Sequence, residues 1–333
     1  MEIIPEERKK VKSNRTKWAR LKRQSEEIAN RIFRLGFKER GAAMMNCSTF
    51  IVSKTCTKCG DEHISTAMLC RDRLCPLCAW RLSWRRFCEM NNVINALRPR
   101  FLAEGAKATM LTLTLRNCAV DELSRTISTM STAWHNISRQ RIMENVTGWA
   151  RSLEITYNAE NMTFHPHFHI LLIWKHDADI SGRFQRLITD AWSRALGIDY
   201  TAITDHREAY KKIDGEAVTV DPTSGDITPA IIECSKYATK PNQFVFMPDD
   251  VFVSFINQIK GVRFVSYGRD IRRARKALGY RNEEDADSID ITTEGIQCDC
   301  GEDINTMLLK WNGATYDKSS PTEEAGFRKR YLL

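Results

Sequence analysis

The sequence predicts an α+β fold: an antiparallel sheet with helices on one face, preceded by a small zinc-binding module. Three observations carry this. Met110-Leu-Thr-Leu-Thr-Leu115 alternates as a half-buried strand does, and residues 153–157 and 167–174 read as two more strands around a polar turn at 158–163. Between and after these strands, residues 121–142, 181–196 and 228–240 carry helical periodicity, so strands and helices mix without the regular alternation of a parallel sheet. Upstream, two Cys-x-x-Cys pairs have the spacing of metal knuckles.

The elements follow in order. Residues 6–35 form a basic amphipathic helix, with Trp18, Leu21, Ile28, Ile32 and Leu35 at helical spacing. The zinc-type segment spans 51–80, and an apolar-periodic stretch over 84–97 ends before Pro99. Downstream of the hairpin, the helix over 181–196 stops at Gly197. Thr228 caps a last helix with Pro229 in its first turn, and Pro241 closes it after Lys240. This divides the chain into a basic helical arm (1–50), a zinc-binding module (51–90), an α+β domain (91–245) and a C-terminal segment, basic then acidic (246–333).

Composition narrows the class. The 333 residues are 42% apolar and 28% charged, which is globular chemistry, and no apolar run reaches the ~18 residues that would span a bilayer. The opening Met-Glu-Ile-Ile-Pro-Glu-Glu lacks the basic-then-apolar plan of a secretory signal, so the expected location is the cytoplasm, with no membrane partner. The formal charge is +8, and the cations are clustered. Nine lie between Arg8 and Arg23 with no acid among them, and Arg269, Arg272, Arg273, Arg275 and Lys276 form a second group. Either run alone can be a solvated helix face; two of them beside a zinc module favour a polyanionic partner.

Eleven cysteines in a reducing compartment point to metal rather than disulfides. Cys56-Thr-Lys-Cys59 and Cys75-Pro-Leu-Cys78 supply four thiolates for a tetrahedral Zn²⁺ site with no open position, hence a structural one. Cys70, in the loop between the pairs, is a spare or substitute ligand, and Cys298 and Cys300 fit no knuckle.

The densest chemistry is His165-Pro-His167-Phe-His169. On a strand, His167 and His169 project from one face and Phe168 from the other, so two imidazoles can share a metal ion. Glu154 on the preceding strand or His165 can be the third ligand. A mixed imidazole–carboxylate set suits Mn²⁺ or Mg²⁺ with positions open to substrate oxygen; a His-rich strand can also be a satisfied polar face. In the helix over 229–240, Glu233, Lys236, Tyr237 and Lys240 fall on one stripe. A tyrosine, with an ordinary pKa of about 10, needs such cationic or metal help to act as a nucleophile; the alternative is an exposed helix laced with Glu–Lys pairs.

Taken in order, the Cys-x-x-Cys pair, the Cys-Pro-x-Cys followed by Arg and Trp, the Thr-Leu-Thr-Leu strand, Glu-Ile-Thr-Tyr-Asn, His-Pro-His-Phe-His and Glu-x-x-Lys-Tyr-x-x-Lys resemble the rolling-circle plasmid replication initiators. These belong to the His-hydrophobe-His endonuclease superfamily, and the likeness, over roughly residues 47–280, is to the zinc-bearing branch with a single catalytic tyrosine. The resemblance implies an RRM-like or palm-like endonuclease domain over 91–245. His167, His169 and Glu154 match the ligands of a catalytic Mn²⁺ or Mg²⁺, Tyr237 the nucleophile and Glu233 the carboxylate that activates water at termination. Lys236 and Lys240 match basic positions beside the tyrosine, and Thr112 and Thr114 lie on a strand of structural role. The implied partners are origin DNA (duplex, single-stranded or hairpin) and a host helicase and DNA polymerase. No Gly-x-x-x-x-Gly-Lys-Ser/Thr motif is present for a built-in ATP-driven helicase. Oligomeric state is left open, a dimer included. A transposase or relaxase of the same superfamily, and a non-catalytic zinc-type regulator, are the rival readings.

Overall fold

The computed structural model describes residues 8–58, 60, 62–176, 178, 182–208, 210–213, 216–219, 228–235, 241–244, 246–280 and 304–331. In chain order these form α1 (Arg8–Arg34), α2 (Lys38–Met45), β1 (Phe50–Cys56), β2 (Glu62–Ala67), α3 (Pro76–Glu104), β3 (Lys107–Leu113), α4 (Leu123–Ile137), β4 (Val146–Asn158) and β5 (Thr163–Trp174). There follow α5 (Gly182–Leu196), β6 (Thr204–Glu208), β7 (Tyr210–Ile213), β8 (Glu216–Thr219), α6 (Thr228–Ser235), α7 (Pro241–Phe244) and α8 (Asp249–Gln258). The chain ends with β9 (Val265–Gly268), α9 (Arg269–Ala277), β10 (Ile304–Trp311), β11 (Tyr316–Lys318) and α10 (Pro321–Tyr331). It divides into two compact units, residues 1–81 with 286–333 and residues 82–285. No helix among the described residues is long and apolar enough to cross a membrane.

The first unit is built on a four-stranded antiparallel sheet in the order β11-β10-β1-β2. One of the two partners of β1 comes from the far end of the chain: β10 runs beside it from Phe50↔Lys310 to Cys56↔Ile304. The unit therefore joins sequence segments more than two hundred residues apart. Part of the N-terminal basic run is used inside it. Trp18 meets Trp80 edge-on at 5.6 Å, Lys17 sits 4.3 Å from the centre of the Trp80 ring, and Arg15 pairs with Glu62. Lys22 is fully buried, its ammonium donating to the Met45 carbonyl and paired with Glu26 at 3.1 Å. Arg20 and Arg23 remain exposed.

The second unit holds a five-stranded antiparallel sheet, β6-β3-β5-β4-β9, and a separate ribbon, β7-β8. Both faces of the larger sheet carry helices, which corrects the one-sided arrangement expected from sequence. On one face Ala108, Ala150, Leu171 and Ile173 share a core with Val93, Ile94 and Phe101 of α3, Ala230, Ile231 and Cys234 of α6, and Ile271 of α9. On the other, Phe168 packs near Trp192 and Trp174 against Phe184, both from α5, while Trp149 meets Trp134 of α4 and Phe164 meets Phe255 of α8. The reason lies in the last part of β5, where Ile170-Leu-Leu-Ile-Trp174 is apolar at every position and buried on both sides.

Two further expectations change. α3 does not stop before Pro99 but begins at Pro76 and continues to Glu104. Its last turn is held by Phe101 in the core and by Arg100, which pairs with Glu104 at 2.7 Å and Asp270 at 3.0 Å, and these contacts offset the missing proline N–H. The second basic cluster is only partly internal: Arg269 and Arg275 are drawn in, while Arg272, Arg273 and Lys276 stay exposed. Arg269 donates to the carbonyls of Met143, Val146 and Ser138, Arg273 pairs with buried Asp270, and buried Arg275 pairs with Glu89 at 2.7 Å beneath the Tyr267 ring. Two cations of this run, Arg269 and Arg275, tie α9 to its neighbours, and the other three face solvent.

Candidate functional site

Two groups of metal-ligating side chains form among the described residues, one in each unit. The first is Cys47, Cys70, Cys75 and Cys78. Cys47 follows α2, Cys70 follows β2, and Cys75 and Cys78 flank the start of α3, where Pro76 takes the first helical position. The residues after the two isolated cysteines, Ser48 and Arg71, both adopt positive φ (54° and 62°), turning the chain sharply at each ligand. Sγ–Sγ distances are 3.6 Å for Cys47–Cys78, Cys70–Cys78 and Cys75–Cys47. Four sulfurs about 2.3 Å from a tetrahedral Zn²⁺ stand about 3.8 Å apart, so the cluster has the chemistry and size for zinc. Its sulfurs also polarise one another. Hydrogen bonding to Cys47 pushes the Cys70 and Cys78 thiols up, burial adding to the rise, while the same network holds Cys47 down.

The described cluster shares two cysteines with the set read from spacing. Cys75 and Cys78 are in the cluster, but Cys56 is buried on β1 and is not one of the four sulfurs; Cys59 lies outside the described residues. The cysteine at 47, missed in the sequence, has no neighbouring partner in a Cys-x-x-Cys pattern. Chain folding alone delivers it. Tyr316 of β11 closes the arrangement, its hydroxyl donating to the Ser48 carbonyl at 2.8 Å, with burial raising its pKa strongly.

The second group is Glu154, His167 and His169. The β4–β5 register sets Glu154 directly opposite His167 and Ser152 opposite His169, and β3 sets Thr112 opposite His169 on the other side. Directly paired residues of an antiparallel ladder share a face, so all these side chains point the same way. Along that face of β5, Leu171 and Ile173 enter the core, whereas His169, His167 and His165 continue beyond it, partly exposed. Glu154 Oε2 lies 3.3 Å from His169 Nε2 and 3.5 Å from His167 Nε2, and the three ligand atoms all fall within 4.8 Å of one another. Outer contacts orient the rings: His169 Nδ1 meets Thr112 Oγ1 at 3.3 Å and His167 Nδ1 meets the His165 carbonyl at 3.3 Å, leaving both Nε2 atoms aimed at the carboxylate. His165 turns aside, its Nδ1 3.0 Å from Asn117 Oδ1, and burial together with the nearby His167 lowers its pKa. Two imidazoles and a carboxylate, one ligand short of a closed site, can hold a divalent ion with room for a substrate oxygen.

Glu233 reaches the same place from α6, with Oε1 3.9 Å from His169 Nε2. α6 is packed on the sheet through Ala230, Ile231 and buried Cys234, and Ser83 Oγ donates to the Ser235 carbonyl at 2.7 Å. Burial pushes the Cys234 thiol up to about 12, so it serves as an inert core group beside the site. Lys236, Tyr237 and Lys240 lie outside the described residues.

Comparison with known proteins places the chain. The family described as Replication protein (Rep_1) matches residues 61–318, and the chain belongs to that family. It is 29% identical over 280 residues to a "Protein rep" of Bacillus amyloliquefaciens, covering 81% of this chain and 82% of that protein. A "Protein rep" of a Bacillus species is 30% identical, over 74% of this chain and 78% of its own length. One from Streptococcus pneumoniae serotype 2 is 26% identical over 76% of each. No solved structure matches the chain.

Proposed function

We propose that the protein initiates plasmid rolling-circle replication by nicking one DNA strand at an origin. The observation that carries this is the open Glu154–His167–His169 cluster with Glu233 of α6 beside it, four residues before Tyr237 in the sequence. The five-stranded antiparallel sheet is the platform of a His-hydrophobe-His endonuclease domain, and Mn²⁺ or Mg²⁺ held by the cluster would supply Lewis-acid polarisation of a phosphate oxygen.

The protein's own residues do the rest. The Tyr237 oxygen attacks the scissile phosphorus, a new P–O bond to tyrosine forms, and the bond to the 3′ oxygen breaks. That oxygen takes up a proton and leaves as a 3′-hydroxyl, with the 5′-phosphate on Tyr237. One phosphodiester replaces another, so no nucleoside triphosphate is consumed, and the free 3′-hydroxyl can prime a host polymerase behind a host helicase. Lys236 and Lys240 support the phosphate charge. Glu233 draws a proton from water in the closing cleavage, so the second cut is hydrolytic. The 3′-hydroxyl it releases attacks the phosphotyrosine phosphorus, joins the strand ends and expels Tyr237, which takes up the proton, so that no second adduct starts another round.

The test is incubation of the full chain with labelled single-stranded DNA and Mn²⁺ or Mg²⁺, followed by a denaturing gel. Wild type forms a covalent adduct; Tyr237→Phe binds DNA but forms none. An adduct with the Phe variant would move the nucleophile elsewhere, with Tyr210 next in line. Glu233→Ala is expected to form the adduct but release poorly, and if it abolished the first nick as fully, Glu233 would be reassigned to the metal group it approaches.

A further inference from the structure

At the end of the sheet where His165, His167 and His169 emerge, a second surface borders the cluster. Thr114 lies two residues beyond Thr112, whose hydroxyl contacts His169. Thr114 donates twice to the Ile203 carbonyl, from Oγ1 at 2.7 Å and from its N–H at 3.3 Å, and its own carbonyl accepts from Trp192 Nε1 at 2.8 Å. Two residues further, the Arg116 guanidinium stacks 4.0 Å from the centre of the Tyr200 ring, and the Arg116 N–H donates to the Tyr200 hydroxyl at 3.0 Å. Ala202 N–H is tied to Ser193 Oγ at 3.0 Å. The loops after β3 and before β6 are thus locked together, yet they present Ile203 at 77% exposure and an exposed planar cation on an aromatic ring.

We infer that Arg116, Tyr200 and Ile203 form a stacking platform for the bases of a single DNA strand next to the Glu154–His167–His169 cluster. The inference rests on the function proposed above and names where the strand lies. Flat guanidinium and tyrosine surfaces beside an exposed aliphatic side chain match the faces of unpaired bases, which a duplex hides. A strand carries a phosphate on either side of each base, so bases held here set the phosphate that reaches the cluster. Arg116 adds charge attraction to the backbone. The contacts that fix the loops mean little ordering remains to be done when the strand binds.

The test uses the full chain, without divalent metal, and two fluorescent probes of about 20 nucleotides: oligothymidylate and an abasic strand of equal length. Wild type is expected to prefer oligothymidylate by tenfold or more, since each stacked base commonly contributes that much. The double variant Tyr200→Leu/Ile203→Ser should lose most of this preference while binding the abasic strand as wild type does. Ile203→Ser, at an exposed position that folding does not need, should lose part of it, and Arg116→Gln should weaken both probes. Equal preference in wild type and both platform variants, or no preference in wild type, would overturn the inference. The adduct assay is read separately. An adduct without base preference removes the platform and leaves the nicking reading, whereas a preference erased by the variants without any adduct removes the nicking reading and leaves the platform as a strand-binding surface.

Discussion

The two metal-ligand groups differ in how they end. In the cysteine cluster four sulfurs converge, three of them buried, and a tetrahedral ion would have no position left for substrate. In the second group three ligand atoms converge from two neighbouring strands and the side chains keep 12–17% of their surface. One design closes around its ion and contributes to folding; the other holds an ion while leaving a side for chemistry. Their support differs accordingly. The cysteines come from the end of α2, the stretch after the β1–β2 hairpin and the start of α3, with the C-terminal β11 bonded behind them through Tyr316. Glu154, His167 and His169 depend on one hairpin.

Removing single ligands from each group should expose the difference. Cys47→Ser or Cys78→Ser should release zinc and unfold the first unit, because binding energies of roughly 10–16 kcal/mol for structural zinc double as folding energy. Cys56→Ser should keep one zinc per chain. Atomic absorption with circular dichroism decides it: zinc lost from Cys56→Ser but kept by Cys47→Ser would favour Cys56, Cys59, Cys75 and Cys78 as the ligands. Neither outcome should alter the folding of the sheet that carries the histidines.

A smaller effect is expected in the open group. Glu154→Gln should weaken Mn²⁺ binding by more than the ten- to hundredfold typical for loss of an outer contact, with unchanged thermal unfolding. His165→Gln, whose ring nitrogen faces Asn117 rather than the carboxylate, should change affinity less than tenfold. Calorimetric titration of the two variants separates them, and a larger loss in His165→Gln would make His165 the third ligand.

The same contrast explains what the sequence revealed. The period-two pattern of His165–His169 and the short polar turn are local, and they suffice to put Glu154 opposite His167. Cys47 carries no local signature and Cys70 reads only as a spare or substitute ligand; their convergence with Cys75 and Cys78 is a product of tertiary packing. The pairing of β10 with β1 was equally hidden, since nothing in residues 304–311 points to a partner near residue 50. Within the charge clusters, packing buries Lys22 and Arg275, which nothing local in the sequence sets apart from the exposed Arg20, Arg23, Arg272, Arg273 and Lys276.

A third kind of histidine stands apart from the metal-group pair and His165. His206 on β6 is packed between the rings of Trp174 and Phe184, with Nε2 2.9 Å from Thr109 Oγ1, a hydroxyl that also accepts from Trp174 Nε1 at 2.8 Å. Burial lowers its pKa to about 4, and nearby Asp205 only partly offsets this. An unfolded chain protonates this residue near pH 6.5, while the folded chain resists until about pH 4. Across that window the unfolded state binds the extra proton, so stability present above pH 6.5 is lost as the pH falls, by about 3 kcal/mol once both states are protonated. His206→Gln keeps a hydrogen-bonding group but no titration, and should make the second unit's stability less sensitive to acid by ~2–3 kcal/mol between pH 7 and pH 4.5. Hydrogen exchange of peptides from β3 and β6, compared at each pH in urea, reports this unit without the zinc module's own acid sensitivity. Parallel losses in wild type and variant would mean that His206 is protonated in the fold, and that its place between two aromatic rings excludes water less than its packing implies.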